Sequence, residues 1–153
     1  MHDLRSVPNP VPGQVSRLIG GPIYDCRYTD GIKRSFGPLS NVHDFHLWLR
    51  CQIDRDAAIE RTIQLQDKRQ YETKLTHGDF NSLNILVKDD NIVGIIDWEM
   101  ARWYPDYWES TSAWLVNHMD DYWRPKVEKI LDADHRAEEL EAEKIRRRYF
   151  QSP

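Results

Sequence analysis

The apolar positions of this chain fall into short runs, and the clearest pair brackets a polar tip. Asn84-Ile85-Leu86-Val87 and Ile92-Val93-Gly94-Ile95-Ile96 flank Lys88-Asp89-Asp90-Asn91. Apolar, largely β-branched runs on either side of a turn-forming tetrad predict a β-hairpin. With the turn centred between Asp89 and Asp90, Asn84 stands opposite Ile95; a one-residue shift puts it opposite Ile96. Directly opposed antiparallel residues have Cα atoms roughly 4.5–5.5 Å apart. Asn84 and Asp97 therefore arrive at the same end of the hairpin in either register. A short strand, Lys74–Thr76, comes before it, and Asp79 follows that strand in a loop.

Elsewhere the pattern is helical or broken. Residues 1–12 contain Pro8, Pro10 and Pro12 and read as an irregular connector, with the folded domain running from 13 to 153. Val15–Ile19 and Ile23–Tyr28 flank Gly20-Gly21-Pro22, as in a short hairpin. Asp30–Leu39 reads as a loop. Ser40 or Asn41 caps a helix that carries Asp44 in its first turn and Val42, Phe45 and Leu49 on one face. A weaker helical pattern runs from Asp54 to Asp67, with Ile59 and Ile63 four apart. Pro105 suits the first turn of a helix, on which Tyr107, Thr111, Trp114, Leu115 and His118 share a face. Pro125, Val127, Ile130 and Leu131 mark a short helix. Ala137, Leu140, Ile145 and Tyr149 outline the apolar side of a last one, with Glu143 and Arg147 paired at i, i+4 on the other. The fold class expected is α+β, mostly helical, with small hairpins.

Composition narrows the function classes. A length of 153 residues suits one domain, and six Trp with 11% aromatics supply a core. A net charge of −4 without a basic face argues against a nucleic-acid partner. No apolar run approaches the ~20 residues that span a bilayer, so no membrane partner is expected. The opening MHDLRSVPNPVPG lacks the apolar stretch of a secretory signal. Cys26 and Cys51 have no metal or redox spacing and read as free thiols in a reducing compartment, which points to the cytoplasm.

Three side chains carry the candidate chemistry. Asp79, Asn84 and Asp97 would surround one small volume, and oxygen donors that leave positions open for water and phosphate suit Mg²⁺. Gly20-Gly21 lacks the GxGxxG spacing of a phosphate loop and reads as a turn. A hydrolytic metal centre of His77, Asp79 and His118 has no recognised ligand spacing.

His77-Gly78-Asp79, then Asn84, then Ile96-Asp97 resembles the core of the kinase-like phosphotransferases, most closely the aminoglycoside phosphotransferase and choline kinase group and its fungal branch. Protein kinases place His-Arg-Asp, an Asn five residues on, and Asp-Phe-Gly. Here Gly78 stands at the Arg position and Asp97-Trp98-Glu99 replaces the last motif, which favours small-molecule kinases. GGPIYDCR, FGPLSNVHDFHLWLR and IIDWEMARWYPDYWE extend the similarity over nearly the whole chain. The resemblance implies the C-terminal lobe of a protein-kinase-like fold. It implies Asp79 as the catalytic residue at the acceptor hydroxyl, Asn84 and Asp97 as Mg²⁺ ligands, and His77 as a support, with Glu99 assisting. ATP would be the co-substrate and a small hydroxyl-bearing molecule the acceptor. Trp98, Trp103, Asp106 and Glu109 are expected near a flat or basic substrate.

Catalysis by such enzymes also uses an N-terminal lobe with a loop over the phosphates and a strand Lys. No Gly-rich loop appears, and no Lys sits on a strand before a Glu-bearing helix. The N-terminal lobe is therefore expected to be missing from this chain. Two functions follow: a kinase or part of one, or an inactive lobe serving as a binding module.

Overall fold

A computed structural model of the chain describes residues 2–24, 35–53, 56–116, 121–131 and 136–150. In chain order these form α1 (His2–Ser6), β1 (Ser16–Arg17), β2 (Ile23–Tyr24), β3 (Ser35–Phe36), α2 (Val42–Leu49), α3 (Glu60–Asp67) and β4 (Thr73–Thr76). There follow β5 (Ile85–Lys88), β6 (Asn91–Ile95), β7 (Arg102–Pro105), α4 (Trp108–Leu115), α5 (Arg124–Leu131) and α6 (Ala137–Phe150). Short 3₁₀ turns at Ser82–Asn84 and Trp98–Met100 precede β5 and β7. The architecture is α+β, as expected.

The organising strand is β7. Its neighbours are β1 on one side and β4 on the other, both antiparallel, with Trp103 opposite Ser16 and Leu75. All four β7 residues are buried, as suits a strand covered on both faces. Its Tyr104 ring joins the main core, where Phe36, Phe45, Tyr107 and Trp108 meet Val15, Ile23, Val42 and Leu49. Phe45 lies 5.0 Å from Trp108 in an edge-on contact, a favoured aromatic geometry. A second cluster sets Phe80 against Ala113, Trp123 and Val127. That contact anchors the loop that carries Asp79.

α2 forms as its sequence requires. Asn41 caps it through Oδ1, which accepts the Asp44 N–H at 2.8 Å, and Val42, Phe45 and Leu49 are buried. His46 shares that buried face, and its Nε2 lies 3.0 Å from the Tyr107 hydroxyl. Burial, reinforced by the charges of Arg50 and His43, pushes the His46 pKa down to about 3. The unfolded chain takes up this proton near pH 6.5 and the folded chain does not, so His46 withdraws stability as pH falls below 6.5. From pH 7 to pH 5 that amounts to about 2 kcal/mol. Urea unfolding of wild type and His46→Gln at both pH values should show the acid loss shrinking by that much in the variant.

Several expectations are corrected. Residues 2–6 are helical, and the following segment is fixed to β4: Asn9 Nδ2 donates to Thr73 Oγ1 at 2.7 Å, and the Gly13 N–H to the same oxygen at 3.2 Å. Among the described residues, the segments around Gly20-Gly21 do not pair with each other. β1 joins β7 and β2 joins β3, while the two glycines turn the chain at φ +81° and +87°. Pro105 ends β7, and α4 starts at Trp108. α6 buries Glu139, Ala142, Glu143 and Arg146 against α3, while Ala137 is exposed and Tyr149 projects outward. Glu143 pairs with Arg146 at 2.9 Å and not with Arg147. The reason is local: a carboxylate and a guanidinium that satisfy each other can be buried together. His118, Cys26 and the expected helix start at Asp54 lie outside the described residues. No helix among the described residues is long and apolar enough to cross a membrane.

Candidate active site

The β5–β6 hairpin turns on Asp89-Asp90, both with positive φ (+50° and +61°), the backbone of a type I′ turn. Pairing near the turn follows the expected centre, with Lys88 opposite Asn91 and Val87 opposite Ile92. An irregularity between Leu86 and Val87 then shifts the register, so Leu86 faces Gly94 and Ile85 faces Ile95. That bulge selects the second of the two registers allowed by the sequence. Asn84 consequently meets Ile96, whose N–H donates to the Asn84 carbonyl at 3.0 Å. Asp97 is the next residue, exposed and at φ +63°.

Asp79 and Asn84 are in direct contact. Asn84 Nδ2 donates to the Asp79 main-chain oxygen at 2.9 Å and to its carboxylate Oδ2 at 3.1 Å. With its amide nitrogen committed in this way and only 8% of the residue exposed, Asn84 keeps its side-chain carbonyl as the remaining donor atom. Asn81 Nδ2 adds a second bond to the Asp79 main-chain carbonyl at 3.1 Å.

His77 ties this loop to the hairpin. Its buried ring sets Nε2 2.9 Å from the Ile96 carbonyl, while the Asp79 N–H points at Nδ1 over 3.4 Å. Nε2 must donate to a carbonyl, so the network assigns the neutral tautomer protonated there. The Trp98 ring stands edge-on to His77 at 4.7 Å. The residues on either side of Asp97 thus both touch His77.

Gly78 explains the missing arginine. Its φ is +84°, and a Cβ would overlap the Met100 carbonyl oxygen and lie 3.1 Å from its carbon. Only glycine fits such an approach of two backbones.

Glu109 is placed differently from the expectation that it faces a basic substrate. It is 0% exposed; Oε2 accepts the His77 N–H at 2.5 Å and Oε1 the Gly78 N–H at 3.1 Å. Burial raises its pKa, while those two N–H bonds and the charge of Arg5 act in the opposite direction. α4 can bring a carboxylate this close because Ser110, Thr111, Ser112 and Ala113 are small and buried. That run of small residues beside an acid was the one available signal in the sequence. Asp106 is likewise engaged, with Oδ2 2.9 Å from Arg136 Nη2. Trp103 is 4% exposed and donates to the Leu18 carbonyl, so it belongs to the packed sheet. Trp98, 40% exposed, and Glu99, on the turn after Asp97, remain at the surface beside the site.

The donor set fits a hard cation in part. Asn84 and Asp97 offer oxygen ligands at one end of the hairpin, and water and phosphate oxygens would complete the shell. Among the described residues no group of three or more His, Cys, Asp or Glu forms a metal centre by itself. A cavity of about 520 Å³ lined by Asn41, His43, His46, Gln66 and Tyr71 lies at the Thr73 end of β4, opposite the His77 end.

No curated protein and no solved structure matches the chain significantly. A family model described as the phosphotransferase enzyme family (APH) matches residues 26–149, a span that contains every residue of the site described above. The chain belongs to the phosphotransferase enzyme family.

Proposed function

We propose that this site serves ATP- and Mg²⁺-dependent transfer of a phosphoryl group to the hydroxyl of a small molecule. The observation that carries the reading is the joint placement of Asp79, Asn84 and the Ile96–Asp97 step through two hydrogen-bonded contacts. Asp79 orients the acceptor hydroxyl and takes its proton as the oxygen–phosphorus bond forms and the bond to the leaving diphosphate breaks. Asn84 and Asp97 supply the oxygens that hold Mg²⁺. The cation, when bound, neutralises phosphate charge. His77 and Glu109 do not touch substrate in this reading; they fix the loop that presents Asp79. Exposed Trp98 is left as the residue beside the site that could meet a flat or cationic acceptor. The chain corresponds to the helical lobe of a protein-kinase-like fold, and a lobe covering the phosphates would complete the nucleotide site.

Calorimetry of the 153-residue chain tests this. Mg²⁺–ATP should bind at millimolar affinity or tighter, and Asp97→Ala should weaken binding at least tenfold, about 1.4 kcal/mol. Binding that is absent, or that ignores the Asp97 substitution, would leave an inactive lobe acting as a binding module as the better account.

A further inference from the structure

The loop that presents Asp79 hangs on a carboxylate, and the charge facing that carboxylate comes from the other end of the chain. α1 packs along β4. From it Arg5 Nη2 donates to the main-chain oxygen of Asp106, 101 residues away and three before Glu109. Arg5 is part-buried there and acts attractively on both Asp106 and Glu109, whereas Arg136 repels it. Arg136 is itself committed to Asp106 Oδ2 and Glu139. The segment behind α1 is pinned by the Asn9 and Gly13 bonds to Thr73, so Arg5 is delivered by a fixed element.

We propose that Arg5 is a positioning residue of the site: docked on the Asp106 carbonyl, it provides the counter-charge for the Glu109 carboxylate that holds the His77 and Gly78 N–H groups. This rests on the reading of residues 77–79 as the catalytic loop. Two N–H groups donating to one carboxylate favour its charged form, and bonds to a charged acceptor are the stronger ones. A buried carboxylate without a nearby cation would favour its neutral form and grip both N–H groups less. Burial already drives Glu109 in that direction, and Arg5 opposes it. The N-terminal segment is then a working part of the site, although it touches neither Asp79 nor Asn84.

Amide hydrogen exchange by NMR, on the full chain at neutral pH without nucleotide, tests this. Arg5→Met keeps the aliphatic stem and removes the charge; Arg5→Lys restores a charge. Exchange at His77 and Gly78 should be about tenfold faster in R5M than in wild type, with the Phe45 and Leu49 amides of α2 unchanged. R5K should recover most of the protection. Unchanged protection in R5M, acceleration spread evenly over α2 and the loop, or an R5K no better than R5M would each overturn the proposal. Arg5→Gln makes the same comparison should R5M not fold. Loop opening is read without ATP, so its outcome is separate from that of the Mg²⁺–ATP titration.

Discussion

Gly78→Ala is expected to cost about 2–5 kcal/mol and to displace the loop that carries Asp79. Two penalties combine. A residue with a Cβ held at φ +84° loses about 1–2 kcal/mol against right-handed backbone. The new methyl also meets the Met100 main chain, and overpacking against backbone costs about 1–3 kcal/mol more. The obstacle cannot rotate away as a side chain would, because Met100 ends the turn that leads into β7. Urea unfolding at neutral pH measures the loss. A variant within about 1 kcal/mol of wild type would mean that the two backbones are not in contact in solution.

The second large effect is expected at Glu109. Glu109→Ala removes the acceptor of two buried N–H groups, each worth about 1–3 kcal/mol when left unpaired, and opens a void inside α4. The sum is about 4 kcal/mol. Glu109→Gln preserves the volume but replaces one accepting oxygen by an N–H₂, which then confronts a backbone donor; roughly half of the alanine loss should follow. Chemical denaturation of both variants gives the ratio. If Gln proved harmless, the carboxylate would not be holding both N–H groups at once.

Much of the hairpin was legible because its signals are local. Asp-Asp at the tip, apolar runs on both sides and a polar residue at each far end set the turn and put Asn84 and Asp97 at the same end of the hairpin. The register itself depended on a bulge between Leu86 and Val87 that no pattern announced. The α2 cap was readable for the same reason, since Asn41 acts within three residues of itself. β1, β2 and β3 were not readable as paired strands. Two residues carry no periodicity, and the partner of β1 lies more than eighty positions away in β7.

The errors at charged side chains share one cause. Glu109 was expected to face a basic substrate and Glu143 to pair with Arg147, yet each is buried with its partner supplied by the fold. Charge predicts exposure only where no compensating group is at hand. Trp103 erred the other way: an aromatic run beside a candidate site suggested a pocket, and the middle strand of the sheet claimed it. The proximity of Asp79 and Asn84 was legible because their spacing is short and the contact joining them is made within one loop.

β7 leads back through Met100 and the Trp98 turn to Asp97, and forward through Asp106 to Glu109. β7 therefore connects the turn after Asp97 to the bracket that Glu109 forms beneath the His77 loop. Evolution or engineering cannot retune one end in isolation: a change that slides or tilts this strand is felt simultaneously at both.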